Sequence, residues 1–186
     1  MNNETYVLDL QKNRRSIRAF SDKTIEKEKI EKILEAGRWA PSAMNEQPWR
    51  FIYAFKNQDE SYKKIFSALA EGNQIWASSA PVLLVVIAKT KYDYNGAENK
   101  HAWYDVGQAM GAISLQATEA GIYLHQIGGF SPEKIKEAFP LPEGYEPVVV
   151  FAAGYKGNPD FLPDNLKVRE TAEKQRKPLD ELVFKF

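Results

Sequence analysis

The run at 82–88 constrains the fold of this chain more than any other part of its 186 residues. Its sequence, VLLVVIA, contains no polar residue and is rich in β-branched side chains, which favour strands. A strand that is apolar on both faces must be covered on both faces. Even with Pro81 included, the run is far shorter than the ~20 residues that a membrane-spanning helix needs. We therefore predict a buried strand at the centre of a layered domain.

Helical patterns alternate with further strands on both sides of this run. Ile30, Ile33, Leu34 and Gly37 fall at helical spacing and predict an amphipathic helix over 26–39. A second long helix, over 102–120, carries so many small residues that we expect another helix to pack closely on it. The other predicted elements are helices over 5–11 and 61–70, a helix that starts at 131–133, and strands over 49–55, 122–127 and 147–154. This alternation predicts one α/β or α+β layered domain.

The segment 158–186 differs from the rest of the chain. It holds three prolines and many charges, and it ends on an apolar cluster of Leu179, Leu182, Val183, Phe184 and Phe186. An arm of this kind cannot bury those side chains against itself. It must lie on its own domain or on a neighbouring subunit, and we favour a neighbour, since oligomers often exchange terminal arms.

Composition excludes several function classes. Lys+Arg and Asp+Glu both number 25, and a neutral chain is a poor candidate for nucleic-acid binding, which relies on neutralising phosphates. The chain has no cysteine, so it has no disulfide, thiolate metal site or cysteine nucleophile. His101 and His125 are far apart, which makes a zinc site improbable; for His125 on a strand we expect a hydrogen-bonded core residue.

Residues 1–5 do not look like a signal peptide. We predict a soluble, cytoplasmic protein.

Two segments near the start and one near the end carry the polar chemistry. Segment 14–18, RRSIR, offers guanidinium groups that match phosphate oxygens, although a solvated basic turn after a helix would look the same. Segment 40–49 is bracketed by Pro41 and Pro48 and offers hydroxyl and amide groups, which could face a polar ring edge or cap their own backbone. Arg176 and Lys177 supply cations from the far end of the chain.

Read together, these segments resemble the nitroreductase family of FMN-dependent oxidoreductases. Segment 14–18 is similar to the family's RRSxR element, and 41–49 is similar to its PS…N.QPW loop. Asn73, the 128–130 turn GGF and the 176–179 element RKPL follow in the family's order. The resemblance spans nearly the whole chain. It implies an α+β layered fold with a central, mostly antiparallel sheet flanked by helices, and a homodimer with the C-terminal arm on the partner.

The resemblance also implies which residues hold FMN. Arg14, Ser16 and Arg176 would bind its phosphate, with Arg15 and Lys177 helping. Arg18 would lie near the N1–C2=O edge of the flavin, where a cation stabilises the reduced ring. The loop residues of the second subunit would cover the ring; they are Pro41, Ser42, Ala43 and Asn45, with Gln47 in the same loop.

On the other side of the ring, the resemblance implies that Asn73 bonds the pyrimidine edge. The backbone N–H groups of Gly128 and Gly129 would reach flavin N5, where a glycine leaves room for the backbone to approach. Some relatives carry an acidic residue just before this turn, whereas this chain has Ile127, which puts a side-chain role in proton handling there in doubt. The short segment 91–103 also argues against a large substrate lid.

The function that the resemblance implies is NAD(P)H oxidation. Hydride would pass from NADH or NADPH to flavin N5, and electrons would then pass to a small-molecule acceptor such as a nitroaromatic or quinone, with no side chain acting as nucleophile. The absence of a GxGxxG motif is compatible with a nicotinamide that stacks on the flavin. Three alternatives stay open: a flavin enzyme with another task, such as dehydrogenating a different substrate or fragmenting the flavin; a non-catalytic FMN-storage protein; and a nucleotide-phosphate binder without redox function.

Overall fold

The computed structural model describes residues 7–57 and 60–184. Within these ranges the chain forms helices and strands in the following order: α1 (Asp9–Asn13), α2 (Lys27–Arg38), β1 (Trp49–Phe55), α3 (Glu60–Ala68), α4 (Glu71–Ala77), β2 (Val82–Lys89), α5 (Ala102–Glu119), β3 (Tyr123–Ile127), α6 (Pro132–Ala138), β4 (Tyr145–Gly154) and α7 (Asp164–Thr171). None of the helices in this described part has the length and apolar character that crossing a bilayer requires.

The four strands form one sheet in the order β1-β2-β4-β3, and each neighbouring pair is antiparallel. The predicted α+β fold with an antiparallel sheet is therefore confirmed. The ladder between β2 and β4 is regular except between Val86 and Ile87, where Ile87 lies opposite Pro147. Since proline has no N–H to donate to the ladder, an irregularity at this position is expected.

Side chains on β2 alternate between two buried layers, as the uniformly apolar run predicts. Leu83, Val85 and Ile87 pack into a cluster with α3, α4, α6 and α7. Val82, Leu84 and Val86 pack into a second cluster with α2 and α5. Because successive side chains of a strand point to opposite faces, the sheet is the middle layer between two layers of helices.

Helix α5 packs against α2, which confirms the expectation of a close helix neighbour. Ala109 is fully buried, and a Cβ added at Gly37 of α2 would lie only 2.6 Å from Cδ1 of Ile113. Gly107 and Gly111, however, face away from α2, and a Cβ at either would meet no atom within 4 Å. Only part of the small-residue pattern therefore serves the α2–α5 contact.

Several predicted element boundaries differ from the structure. Helix α1 begins at Asp9, later than the predicted 5–11, and residues 5–6 of that prediction lie outside the described residues. The predicted helix over 61–70 ends at Ala68, because Leu69 instead forms a β-bridge with Phe130. Helix α4 was not predicted.

The C-terminal segment has two parts. In 158–171 the chain packs on its own body, with Leu162 and Leu166 in the core. Beyond α7, Leu179 and Leu182 are exposed. Ala172 and Lys174 still bond to the same copy, through Arg15 and the backbone oxygen of Lys12. The prediction of an arm on a partner subunit thus concerns residues 177–184; Phe186 lies outside the described residues.

Candidate functional site

Along the basic segment 14–18 and the residue after it, buried side chains alternate with more exposed ones. Ile17 and Ala19 are buried, whereas Ser16 is exposed and Arg18 is partly exposed. The backbone oxygen of Ile17 accepts a hydrogen bond of 2.7 Å from Nδ1 of His125 in β3. The apolar residues therefore anchor the segment beside the sheet, and the polar ones point outward.

Cations from both ends of the chain meet at this segment. Burial and the charge of Arg176 lower the pKa of Arg14, and Arg14 also donates a 3.2 Å hydrogen bond to Oγ of Ser16. Burial, together with Arg14, Arg15 and Arg176, lowers the pKa of Lys174. A depressed pKa in a cation that has cationic neighbours marks a place where a bound anion would relieve the repulsion.

A cavity of about 390 Å³ opens beside these cations and is lined by Val7, Gln11, Lys12, Lys174 and Arg176. A larger cavity, of about 500 Å³, lies near Phe20, Phe55 and Phe161 and contains none of the predicted site residues. We place the candidate site at the smaller cavity, because the grouped cations are there.

The two other cations predicted to help bind the phosphate, Arg15 and Lys177, do not line the cavity. Nη2 of Arg15 donates to the backbone oxygens of Glu170, at 3.0 Å, and Ala172, at 2.7 Å. Arg15 therefore binds the carbonyl end of α7, a position that favours a cation, rather than joining Ser16. Lys177 is exposed.

Arg18 lies over Trp76, whose ring contacts that of His125. Its guanidinium carbon is 5.8 Å from the centre of the Trp76 ring, and the rings of Trp76 and His125 are 4.3 Å apart. Burial and the nearby Arg18, Arg169 and Arg14 lower the pKa of His125 to about 4, although its bond to Ile17 opposes the shift. His125 is thus a buried, hydrogen-bonded core residue, as predicted from the sequence.

Asn73 and the Gly128–Gly129 turn are in direct contact. Nδ2 of Asn73 donates to the backbone oxygen of Gly129 at 3.0 Å, and the N–H of Ala70 donates to the same oxygen at 3.0 Å. A Cβ added at Gly129 would lie 2.6 Å from Nδ2 of Asn73, whereas one at Gly128 would meet no atom within 4 Å. The turn therefore keeps its open side at Gly128.

The proline-bracketed loop lies elsewhere on the chain. Oγ of Ser42 accepts from the N–H of Gln47 at 3.0 Å, and Oδ2 of Asp105 accepts from the N–H of Ala43 at 3.0 Å. Pro41 and Asn45 are exposed. No hydrogen bond joins this loop to segment 14–18 within the ranges that the structure describes. Ala40, just before Pro41, packs on the cluster with α2 and α5, whereas Ile17 packs in the cluster on the other face of the sheet, so the predicted residues of one copy fall into two sets.

Comparison with known proteins assigns the chain to a family. The profile of the Nitroreductase family matches residues 12–75 and 60–155. The chain belongs to the nitroreductase family. A protein of Archaeoglobus fulgidus, provisionally named an NADH dehydrogenase/NAD(P)H nitroreductase, is 36% identical to it in an alignment of 155 residues that covers 80% of this chain and 84% of that protein.

Two further proteins are similar to the chain. The FMN reductase [NAD(P)H] of Bacillus subtilis is 30% identical over 162 residues, covering 76% of this chain and 62% of that protein. A crystal structure described as an oxidoreductase containing FMN superposes with a TM-score of 0.91 at 35% identity, over 98% of this chain and 93% of the other.

Sequence reasoning missed four residues at or near the candidate site. Lys174 joins the group of cations, and Arg169 lies near Arg18. Asp105 accepts a hydrogen bond from the proline-bracketed loop, and Glu170 accepts one from the backbone N–H of Arg18. For Glu170 a signal was present. It follows Leu162 and Leu166 at steps of four residues, which places it on the buried face of a helix.

Proposed function

We propose that this chain is an FMN-dependent NAD(P)H oxidoreductase of the nitroreductase type, which reduces a small aromatic acceptor. The observation that carries the proposal is the convergence of Arg14 and Arg176, from opposite ends of the chain, on one group of cations. A phosphate group bears nearly two negative charges and binds guanidinium forks well. The residues present therefore fit the phosphate end of FMN.

The rest of the described site fits the ring end of the cofactor. The guanidinium group of Arg18 lies over the ring of Trp76. From this position it can face the edge of the flavin that becomes negative on reduction. Gly128 leaves its backbone open to approach, and Asn73 is held against the same turn. When bound, FMN supplies the redox chemistry, taking a hydride from NADH or NADPH and passing electrons to the acceptor. The protein supplies binding, orientation and charge.

We further propose that the working unit is a homodimer. The loop with Ser42 and Asn45 follows Ala40, which packs on one face of the sheet, whereas Ile17 of segment 14–18 packs on the other; this favours a loop that covers the flavin of a second copy. Large apolar side chains are exposed around it, with Trp39 77% and Met44 76% accessible, and such side chains often mark an interface. The exposed Leu179 and Leu182 of the C-terminal segment fit the same role.

For the acceptor we propose a flat, electron-poor molecule such as a nitroaromatic or quinone. Trp103 and Tyr104 are exposed at the start of α5, immediately before Asp105, which holds the covering loop. Aromatic side chains beside a flavin-covering loop favour acceptors that stack on them.

The test begins with the visible spectrum of the purified protein, recorded before and after NADPH or NADH is added without oxygen. We expect a yellow protein that bleaches with at least one donor and turns over when a nitroaromatic or quinone is supplied. A colourless protein that takes up no added FMN would overturn the proposal.

The Arg14→Ala variant tests the phosphate assignment. We expect its FMN affinity to fall by roughly 10- to 100-fold, because a charge-assisted bond to phosphate is lost. Lys32→Ala is the matched control, since it removes an exposed cation from α2, which carries none of the predicted cofactor residues, and should leave FMN affinity unchanged. Full flavin content in Arg14→Ala would show the assignment to be wrong.

A further inference from the structure

Glu170 is a buried carboxylate that the proposed cofactor contacts do not use. It lies near the end of α7, is only 9% exposed, and directs both oxygens at segment 14–18. The N–H of Arg18 donates to the two oxygens at 3.0 and 2.9 Å, and the N–H of Ala19 donates to Oε1 at 3.2 Å. One carboxylate thus fixes two consecutive peptide N–H groups, that of Arg18 at the end of the basic segment and that of Ala19 just after it.

A second set of bonds runs in the opposite direction. Arg15 donates to the backbone oxygens of Glu170 and Ala172. Helix α7 and the basic segment are therefore joined by the Glu170 side chain at one point and by the Arg15 side chain at another. Neither element can shift without breaking charge-assisted hydrogen bonds, which are roughly twice as strong as neutral ones.

The charge of Glu170 opposes the proposed ligand. Burial and the neighbouring Arg169 lower the pKa of Arg18, and Glu170 acts against both. A carboxylate this close to a group of cations weakens their attraction for a phosphate. Its place in the site is therefore explained by geometry rather than by attraction.

We propose that Glu170 is a positioning residue for FMN. It holds the backbone at Arg18 and Ala19 so that the side chains of Arg14 and Arg18 face the cofactor, and it makes α7 a structural part of the cofactor site. This inference rests on the proposed function, since it requires FMN to bind at segment 14–18.

The inference is tested by titrating the apoprotein with FMN and monitoring the quenching of FMN fluorescence. What decides is whether Glu170→Ala weakens or strengthens FMN binding. We expect Glu170→Ala to bind FMN roughly tenfold more weakly or worse, on the scale of a lost charge-assisted hydrogen bond. Charge alone predicts the opposite, because the variant removes a negative group from a cationic site. Glu173→Ala is the matched control: it removes an exposed carboxylate three residues further on and should leave affinity unchanged or slightly tighter.

Glu170→Gln keeps the test decisive if Glu170→Ala does not fold. Its amide retains the size and one acceptor oxygen, so we expect FMN affinity about threefold weaker than that of Glu173→Gln. We also expect the absorption bands of the bound flavin to shift from those of the wild type, because Arg18 moves relative to the ring. A purely structural role would lower the thermal midpoint of the apoprotein without changing the spectrum or the affinity of the folded fraction.

The outcomes separate the two proposals. If the wild type takes up no FMN, the proposed function fails and the role of Glu170 fails with it. If the wild type binds FMN and Glu170→Gln binds as tightly as Glu173→Gln, or more tightly, only the positioning role is overturned.

Discussion

The Asp105 carboxylate, buried in the first turn of α5, accepts a 3.0 Å hydrogen bond from the backbone N–H of Ala43. Only 3% of Asp105 is exposed, so this contact fixes the proline-bracketed loop to the long central helix. A negative charge at the start of a helix is also favoured by the helix dipole. The loop that we propose to cover the flavin of a second copy is thus held in place from within its own chain.

Removing this contact should destabilise the fold. We expect Asp105→Ala to lower the free energy of unfolding by about 2 kcal/mol, since the Ala43 N–H loses a charged acceptor and has no replacement. Asp105→Asn keeps an acceptor oxygen at the same place and should cost less than about 1 kcal/mol. Urea unfolding of the three proteins measures the difference. Equal stabilities for the alanine and asparagine variants would contradict the assigned bond.

The backbone of the same loop predicts an unusual response at Met44. Its φ is 55°, in the left-handed region that costs an L-residue roughly 1–2 kcal/mol, and its side chain is 76% exposed. Within one copy this side chain loses no packing on substitution, so Met44→Gly should leave the stability of the monomer unchanged or raise it. Met44→Val should lower stability by about 1 kcal/mol or more, since β-branched residues tolerate this region poorly. Thermal unfolding of both variants would show the order, and a valine variant as stable as the glycine variant would exclude backbone strain here.

The parts of the fold that were predictable from the sequence have local causes. The uniformly apolar run that became β2 and the helical spacing of Ile30 and Ile33 each depend on a few adjacent residues. Ser131 likewise predicts the start of α6, where its Oγ accepts from the N–H of Lys134. By contrast, α4 escaped prediction because it is seven residues long and includes Gly72, a poor helix former. Its first turn is supported by Gly129, far away in sequence.

The same division applies to the candidate site. Arg14 and Arg176 were recognisable because they belong to segments that resemble a family. Lys174 was not, because only the folded chain brings it to Arg14. The positive φ values of Met44 and Gln47 were also beyond reach, since neither residue type indicates a left-handed backbone. Contacts between distant segments and strained backbone both depend on the complete fold.

His125 predicts a specific dependence of stability on pH. Its folded pKa of about 4 lies below the ordinary value of 6.5, so the unfolded state binds more protons between these pH values. Stability from this residue is therefore complete above about pH 6.5 and is lost as pH falls towards 4, with a slope of at most about 1.4 kcal/mol per pH unit. Urea unfolding between pH 7 and pH 4.5 should show this decline in the wild type and a smaller one in His125→Gln. Parallel declines in the two proteins would assign the effect to other groups.

The same substitution at the two glycines of the 128–129 turn should change different properties, the stability of the apoprotein at Gly129 and the affinity for FMN at Gly128. A Cβ at Gly129 would lie 2.6 Å from Nδ2 of Asn73, which binds the Gly129 oxygen, so Gly129→Ala must displace the amide and should destabilise the apoprotein by about 1 kcal/mol. Gly128→Ala meets no atom within 4 Å and should leave the apoprotein's stability unchanged. Its methyl group instead occupies the open side of the turn, where we propose that the flavin approaches, so its FMN affinity should fall.

Combining Gly129→Ala with Asn73→Ala removes the clash and should cost less than the sum of the two single changes. Thermal unfolding of the apoproteins and FMN titration measure the two effects separately. If Gly128→Ala binds FMN as tightly as the wild type, the open side of this turn does not face the cofactor.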